Sequence, residues 1–207
     1  TPGEVTLLTD FRYITHAREA TWGITVTEAR DRRGAIPGVI TGAGAKTVGF
    51  DSLHTTYSEY KRWTDALPSV TFVPLESGIE EIRRCKEPKE IEAIEEAVGV
   101  ATEAFLEVAA RIAPGKTEQE LANDLDFAMR CRGAERPAFD TIVAAGPRAA
   151  LPHAVPTGRK IREGDPVIID IGSRFNGYWG DYTRTWMCGD KAPSKELVKL
   201  HHPDANG

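Results

Sequence analysis

Two aspartates and a histidine are the residues of this sequence best suited to chemistry. Asp170 stands within the apolar run of "VIIDIGSRFNGYWGDYTRT" (167–185), and Asp181 follows just beyond a tight turn. A carboxylate inside a hydrophobic strand costs on the order of several kcal/mol unless it is hydrogen-bonded, neutralised or bound to a cation. A pair of them has two common solutions: divalent ions roughly 3.5–4 Å apart held through oxygen ligands, or a shared proton. The plainer alternative is that one Asp caps the turn or pairs with Arg174 or Arg184. His153, in "LPHAVP" between Pro152 and Pro156, sits in a loop stiffened by restricted proline φ angles, a good mount for a working side chain. A loop histidine alone is more often solvated or capping.

The element that must position the aspartates is a hairpin. Val167 to Phe175 reads as a strand, Asn176-Gly177 as a two-residue type I′ turn, and Tyr178 to Trp186 as the returning strand. With that turn, Phe175 lies opposite Tyr178, Asp170 opposite Thr183, and Gly172 opposite Asp181. The aspartates then share a face as diagonal neighbours about 7 Å apart or less, while Arg184 faces the other way. A bulge at Gly180 would break this register.

Upstream, residues 4–75 alternate "VTLLT", "THAREATWG", "TVGF", "TTYSEYKRWTDAL" and "VTFVPL", the pattern of a small α/β domain. A long helix enters through Pro88, a position where proline loses no intrahelical bond. Its apolar residues Ile91, Ile94, Val98, Phe105, Val108 and Ile112 recur with a period near 3.6 until Pro114-Gly115. Thr117 and Glu120 form a capping box that opens a second helix, through Leu121, Leu125 and Met129 to Gly133. "FDTIVAAG" (139–146) is a further strand candidate, followed by the loop that carries His153.

Composition excludes several classes of function. With 41% hydrophobic and 28% charged residues over 207 positions, the chain can bury a core. Its net charge of −5 gives no basic footprint for nucleic acid. No apolar run approaches the roughly 18–20 residues of a membrane span, and the first residues lack a signal pattern. Cys85, Cys131 and Cys188 lack metal-ribbon or disulfide spacing, so free, mostly buried thiols in a reducing cytoplasm are expected.

The stretch "FDTIVAAGPRAALPHAVPTGRKIREGDPVIIDIGSRFNGYWGDYTRTW" resembles the pita-bread metallopeptidases, in the branch of Xaa-Pro aminopeptidases and Xaa-Pro dipeptidases (prolidases). "EIRRCKEPKEIEAIEEA" resembles the entry to that catalytic domain, and the residues before it resemble the later part of a creatinase-like N-terminal domain. The resemblance implies a partial α/β creatinase-like domain over 1–80, the first half of an α+β pita-bread catalytic domain over 81–200, and a disordered tail over 201–207. Carried onto this sequence, Asp170 and Asp181 match metal-ligand aspartates, Asp181 the bridging one, and His153 matches a histidine that binds substrate and stabilises the tetrahedral intermediate. Two divalent ions, manganese, cobalt or zinc, would act on peptides with proline at the second position. Relatives are often dimers, which makes a homodimer an expected assembly.

The resemblance also implies a further His and two Glu ligands well downstream, whereas only residues 182–207 follow Asp181. His201 and His202 lie in a "HHPDANG" tail of disordered composition, and Glu196 in "PSKELVKL" matches neither missing ligand. The expectation is a fragment that binds metal weakly, catalyses poorly or not at all, and exposes apolar sheet surface. A non-catalytic peptide- or protein-binding module and a metal-free creatinase-like hydrolase are the alternatives. The intact aspartate pair argues against both.

Overall fold

Short strands cannot satisfy their backbone groups alone, and in the computed structural model, which describes residues 3–190, 192–194 and 197–198, they pair within two compact units, 1–85 and 86–207. In the first unit, β1 (Thr6–Thr9) and β2 (Thr25–Glu28) pair in parallel, joined through α1 (Ile14–Ala20). After α2 (Arg32–Gly42), β3 (Thr47–Asp51) and β4 (Thr71–Leu75) form a second parallel pair joined through α3 (Tyr57–Ala66), and α4 (Gly78–Arg84) follows. Parallel neighbours need a crossover, and the helices supply it. Phe50, Tyr60, Trp63 and Phe72 pack ring against ring with centroids from 5.2 to 6.4 Å apart. The sequence pattern predicts this α/β alternation but passes over β2 and α2. α2 carries Pro37 and three glycines, a composition that hides a helix because both residue types disfavour one.

The second unit starts from α5 (Pro88–Ala109) and α6 (Glu118–Cys131). α6 opens with the expected capping box: Thr117 Oγ1 accepts the Glu120 N–H at 3.1 Å, and Glu120 Oε2 accepts the Thr117 N–H at 2.8 Å. Six strands follow: β5 (Arg136–Pro137), β6 (Ile142–Ala145), β7 (Pro166–Ile171), β8 (Ser173–Phe175), β9 (Tyr178–Trp179) and β10 (Tyr182–Met187). They form two antiparallel three-stranded sheets, β10-β7-β6 and β5-β8-β9.

The predicted hairpin register holds. Asn176 and Gly177 take positive φ (47° and 81°), as a type I′ turn requires. Phe175 pairs with Tyr178 and Asp170 with Thr183. Between those pairs the strands leave the ladder at Gly172 and at Gly180-Asp181, yet the Gly180 N–H still donates to the Ser173 carbonyl at 2.9 Å. The offset is the same on both sides, so the break is a kink without a register shift.

That kink presses against α5. A Cβ on Gly180 would lie 2.7 Å from the Val98 nitrogen, and a Cβ on Gly172 would lie 2.3 Å from the Gly180 carbonyl oxygen. Ser173 Oγ donates to the Ala97 carbonyl at 2.7 Å, and the Tyr178 hydroxyl donates to Glu90 at 2.6 Å. This close approach decides which face of α5 is buried. Ala93, Ala97, Ala101 and Ala104 line that face with Val100, Phe105 and Val108, whereas Ile91 is exposed and Ile94 and Val98 are half-buried. The predicted stripe is therefore corrected in its first half, because small side chains admit the hairpin where branched ones would hold it off. Of the three cysteines only Cys188 is buried, so the expectation of mostly buried thiols is also corrected.

Val167, Ile169 and Ile171 of β7 alternate into the core against Phe105, Leu121, Leu125 and Met129. The opposite face carries Ile168 and Asp170. On that side Pro166, Ile168 and Met187, all half-buried, line a groove of about 610 Å³ with Leu197 and Val198. The predicted tail 201–207, with His201 and His202, and Glu196 lie outside the described residues.

The α5 contact predicts a contrast between two glycines. Gly180→Ala should destabilise the chain by about 1–3 kcal/mol through overpacking, while Gly99→Ala, with open space at its Cβ inside the same helix, should stabilise it by about 0.5–1 kcal/mol. Urea midpoints at unchanged m-value check this. Similar shifts for both substitutions would remove the close approach as the organising contact.

Candidate metal centre

Strand alternation places Asp170. Its neighbours Ile169 and Ile171 point into the core, so its own side chain lies on the half-solvated face of the sheet. Asp170 is half-buried and Asp181 is exposed, which corrects the picture of two carboxylates sunk in an apolar strand. Thr183, directly across the ladder, donates its hydroxyl to Asp170 Oδ1 at 2.8 Å.

Neither plain alternative describes these aspartates. The turn amide of Gly177 donates to Glu135 Oε1 at 3.0 Å. Arg174 pairs with Glu135 at 3.3 Å, and the Arg184 guanidinium lies over the Tyr182 ring, 4.1 Å from its centroid. Among the described residues no cationic side chain pairs with Asp170 or Asp181.

His153 follows the 3-10 turn Gly146–Ala150 and is exposed. It nonetheless shares a space with the aspartates: His153, Asp170 and Asp181 line one cavity of about 680 Å³. Two acids that the sequence reading did not single out, Asp126 and Asp140, line it as well, beside Phe139 and Ile142. Asp126 flanks the buried stripe of α6 and accepts the Thr141 hydroxyl. Burial pushes its carboxyl above the usual range and Asp140 adds to the effect, against the pull of Thr141 and Arg130. The available signal was its place one position beyond Leu125, at the edge of the apolar stripe.

Several carboxylates and an imidazole around one open space fit a hard or borderline divalent cation, which takes oxygen and nitrogen ligands. Asp170 and Asp181 are the residues that could hold it from the hairpin. Ligand atoms of three potential metal-binding residues come within 4.8 Å of one another elsewhere, at Asp51, His54 and Glu80 in the 1–85 unit. This grouping is accounted for locally: Asp51 caps the turn after β3 by accepting the Leu53 N–H at 2.9 Å and pairs with His54 Nδ1 at 2.8 Å.

Comparison with known proteins gives a consistent result. Residues 92–202 match the model of metallopeptidase family M24, and residues 1–85 match the Creatinase/Prolidase N-terminal domain. An uncharacterized peptidase of Bacillus subtilis is 34% identical over 198 residues, covering 94% of this chain and 55% of that protein. An Xaa-Pro dipeptidase of Pyrococcus furiosus is 38% identical over 156 residues, 75% of this chain and 44% of the relative. Among solved structures, the X-Pro aminopeptidase from Thermotoga maritima superposes with a TM-score of 0.88 at 33% identity, over 97% of this chain and 55% of its own. The Xaa-Pro dipeptidase from Bacillus anthracis gives 0.89 at 34% identity, over 96% and 56%. The chain spans about half the length of the relatives it matches. No helix among the described residues is long and apolar enough to cross a membrane.

The raised Asp126 carboxyl has a signed consequence for stability. With a folded-state pKa above the ordinary Asp value near 3.9, the folded chain holds the extra proton, so the contribution is full below that value and is lost as pH rises through the raised one. Asp126→Asn keeps an acceptor for Thr141 and removes the charge. Its stability relative to the native chain should therefore improve between about pH 3 and pH 7, read from urea midpoints. Parallel midpoints across that range would contradict the burial assignment.

Proposed function

The chain belongs to metallopeptidase family M24, and from that premise we propose that its cavity is the aspartate wall of a dinuclear site that hydrolyses Xaa-Pro bonds at peptide N-termini. The observation that carries this reading is the meeting of Asp170, Asp181 and His153 on one cavity.

Asp170 and Asp181 would hold the ions, and the Thr183 hydroxyl on one oxygen of Asp170 would orient its carboxylate as an outer-shell partner does in metal sites generally. Manganese, cobalt and zinc all suit oxygen-rich ligands with an imidazole nearby. When bound, such a pair supplies an acidified water and polarises the scissile carbonyl. His153 would donate a hydrogen bond to the carbonyl oxygen as negative charge develops there. Pro137, Phe139, Ile142 and Val155 line the same cavity, and they would seat an uncharged ring such as proline while shedding water. Two aspartates do not saturate two ions that take about four to six ligands each, so binding through this pair by itself is expected to be weak.

Calorimetric titration with Mn²⁺, followed by an assay for release of the residue preceding proline, tests the reading. The expected result is binding weaker than micromolar, reduced roughly tenfold or more by Thr183→Val and further by Asp170→Asn. Metal binding indifferent to both substitutions would sink the proposed centre. Peptide binding of unchanged affinity in excess EDTA would replace the peptidase reading with a non-catalytic binding module.

A further inference from the structure

The most deeply buried carboxylate described lies outside the proposed ligand set. Glu118, the first residue of α6, has no exposed surface, and such a charge persists only when its oxygens are satisfied. Oε1 accepts the Ala145 N–H at 3.0 Å, and Oε2 accepts both the Thr157 N–H at 3.1 Å and the Thr157 hydroxyl at 2.7 Å. Arg148 Nε approaches both oxygens, at 3.2 and 3.0 Å. The same guanidinium reaches onward, Nη2 donating to the Val155 carbonyl at 2.7 Å.

These partners share one property. Ala145 ends β6, Thr157 lies farther along the connection to β7, and Arg148 and Val155 stand between them, on either side of His153. One buried carboxylate therefore closes both ends of the segment that presents His153 to the cavity, and one guanidinium ties its two limbs. The Gln119 N–H to Thr157 carbonyl bond, at 3.1 Å, fastens the same end to α6. Two prolines stiffen the limb after Leu151, but they do not fix where it stands relative to α6 and β6; the Glu118 network does.

We propose that Glu118, acting through Arg148, is the positioning residue for His153: it sets the place of an imidazole that its own atoms do not touch. The proposal rests on the peptidase reading only for what His153 does once placed.

The test uses the whole ¹⁵N-labelled 207-residue chain without metal or peptide. Ring correlations of His153 and exchange of the Ala145 and Thr157 amides are compared in the native chain, Glu118→Gln, Arg148→Lys and the control Glu120→Gln, which disturbs the same helix turn without touching the loop. Glu118→Gln should speed exchange at both amides roughly 10- to 100-fold, as expected for losing hydrogen bonds to a charged acceptor, and should shift the His153 ring signal. Arg148→Lys keeps the positive charge, and hence the fold, but loses the planar fork; it should move the ring signal in the same direction. Should Glu118→Gln fail to fold, Arg148→Lys decides the question. Glu120→Gln should leave the signal in place while lowering stability. An unmoved His153 signal in a folded Glu118 or Arg148 variant, or an equal shift in the Glu120 control, would reduce the network to a purely structural role. A failed Mn²⁺ titration would sink the peptidase reading and leave this measurement standing.

Discussion

The contact of a bare backbone with a helix organises the second unit. Gly180 lies so close to Ala97 and Val98 that no side chain fits between them, and Gly172 meets Gly180 in the same way across the hairpin. Two strands that would otherwise run straight are interrupted there, and Ser173 fastens the kink to the Ala97 carbonyl. Because the register is unchanged on either side, the kink bends the hairpin without rotating Asp170 into the core. A one-residue slip would have exchanged the faces, sending Asp170 toward Phe105 and an isoleucine into the cavity.

The carboxylates fall into two groups with opposite solvation. Glu118 is wholly buried and held by backbone amides, a hydroxyl and a guanidinium. Asp170 is half-buried with a single hydroxyl donor described, and Asp181 is exposed. A fully satisfied buried charge is specific about geometry, because each lost partner leaves desolvated charge behind. A partly solvated carboxylate keeps lone pairs available for a cation. The first arrangement suits a brace and the second suits a ligand, so solvation separates the roles more sharply than residue type.

What the sequence disclosed follows the same division between local and distant causes. The hairpin, its register and the Thr117–Glu120 capping box were legible because each depends on residues a few positions apart. The buried stripe of α5 was misread because its choice of alanines over Ile91, Ile94 and Val98 is made by a hairpin some eighty residues away. α2 escaped notice because its proline and glycines contradict its conformation. Glu118 was invisible for a simpler reason: beside a capping box, a glutamate in the first helical turn looks like ordinary dipole compensation. Only the fold shows that its partners come from β6 and the loop beyond it.

The burial of Asp170 was the instructive error. An apolar run interrupted by one acid suggests a strand buried on both faces, and hence a costly charge needing rescue. β7 is buried on one face only, and its alternation gives Asp170 a solvated side at no packing loss. The carboxylate therefore meets little of the desolvation cost that a strand buried on both faces would impose.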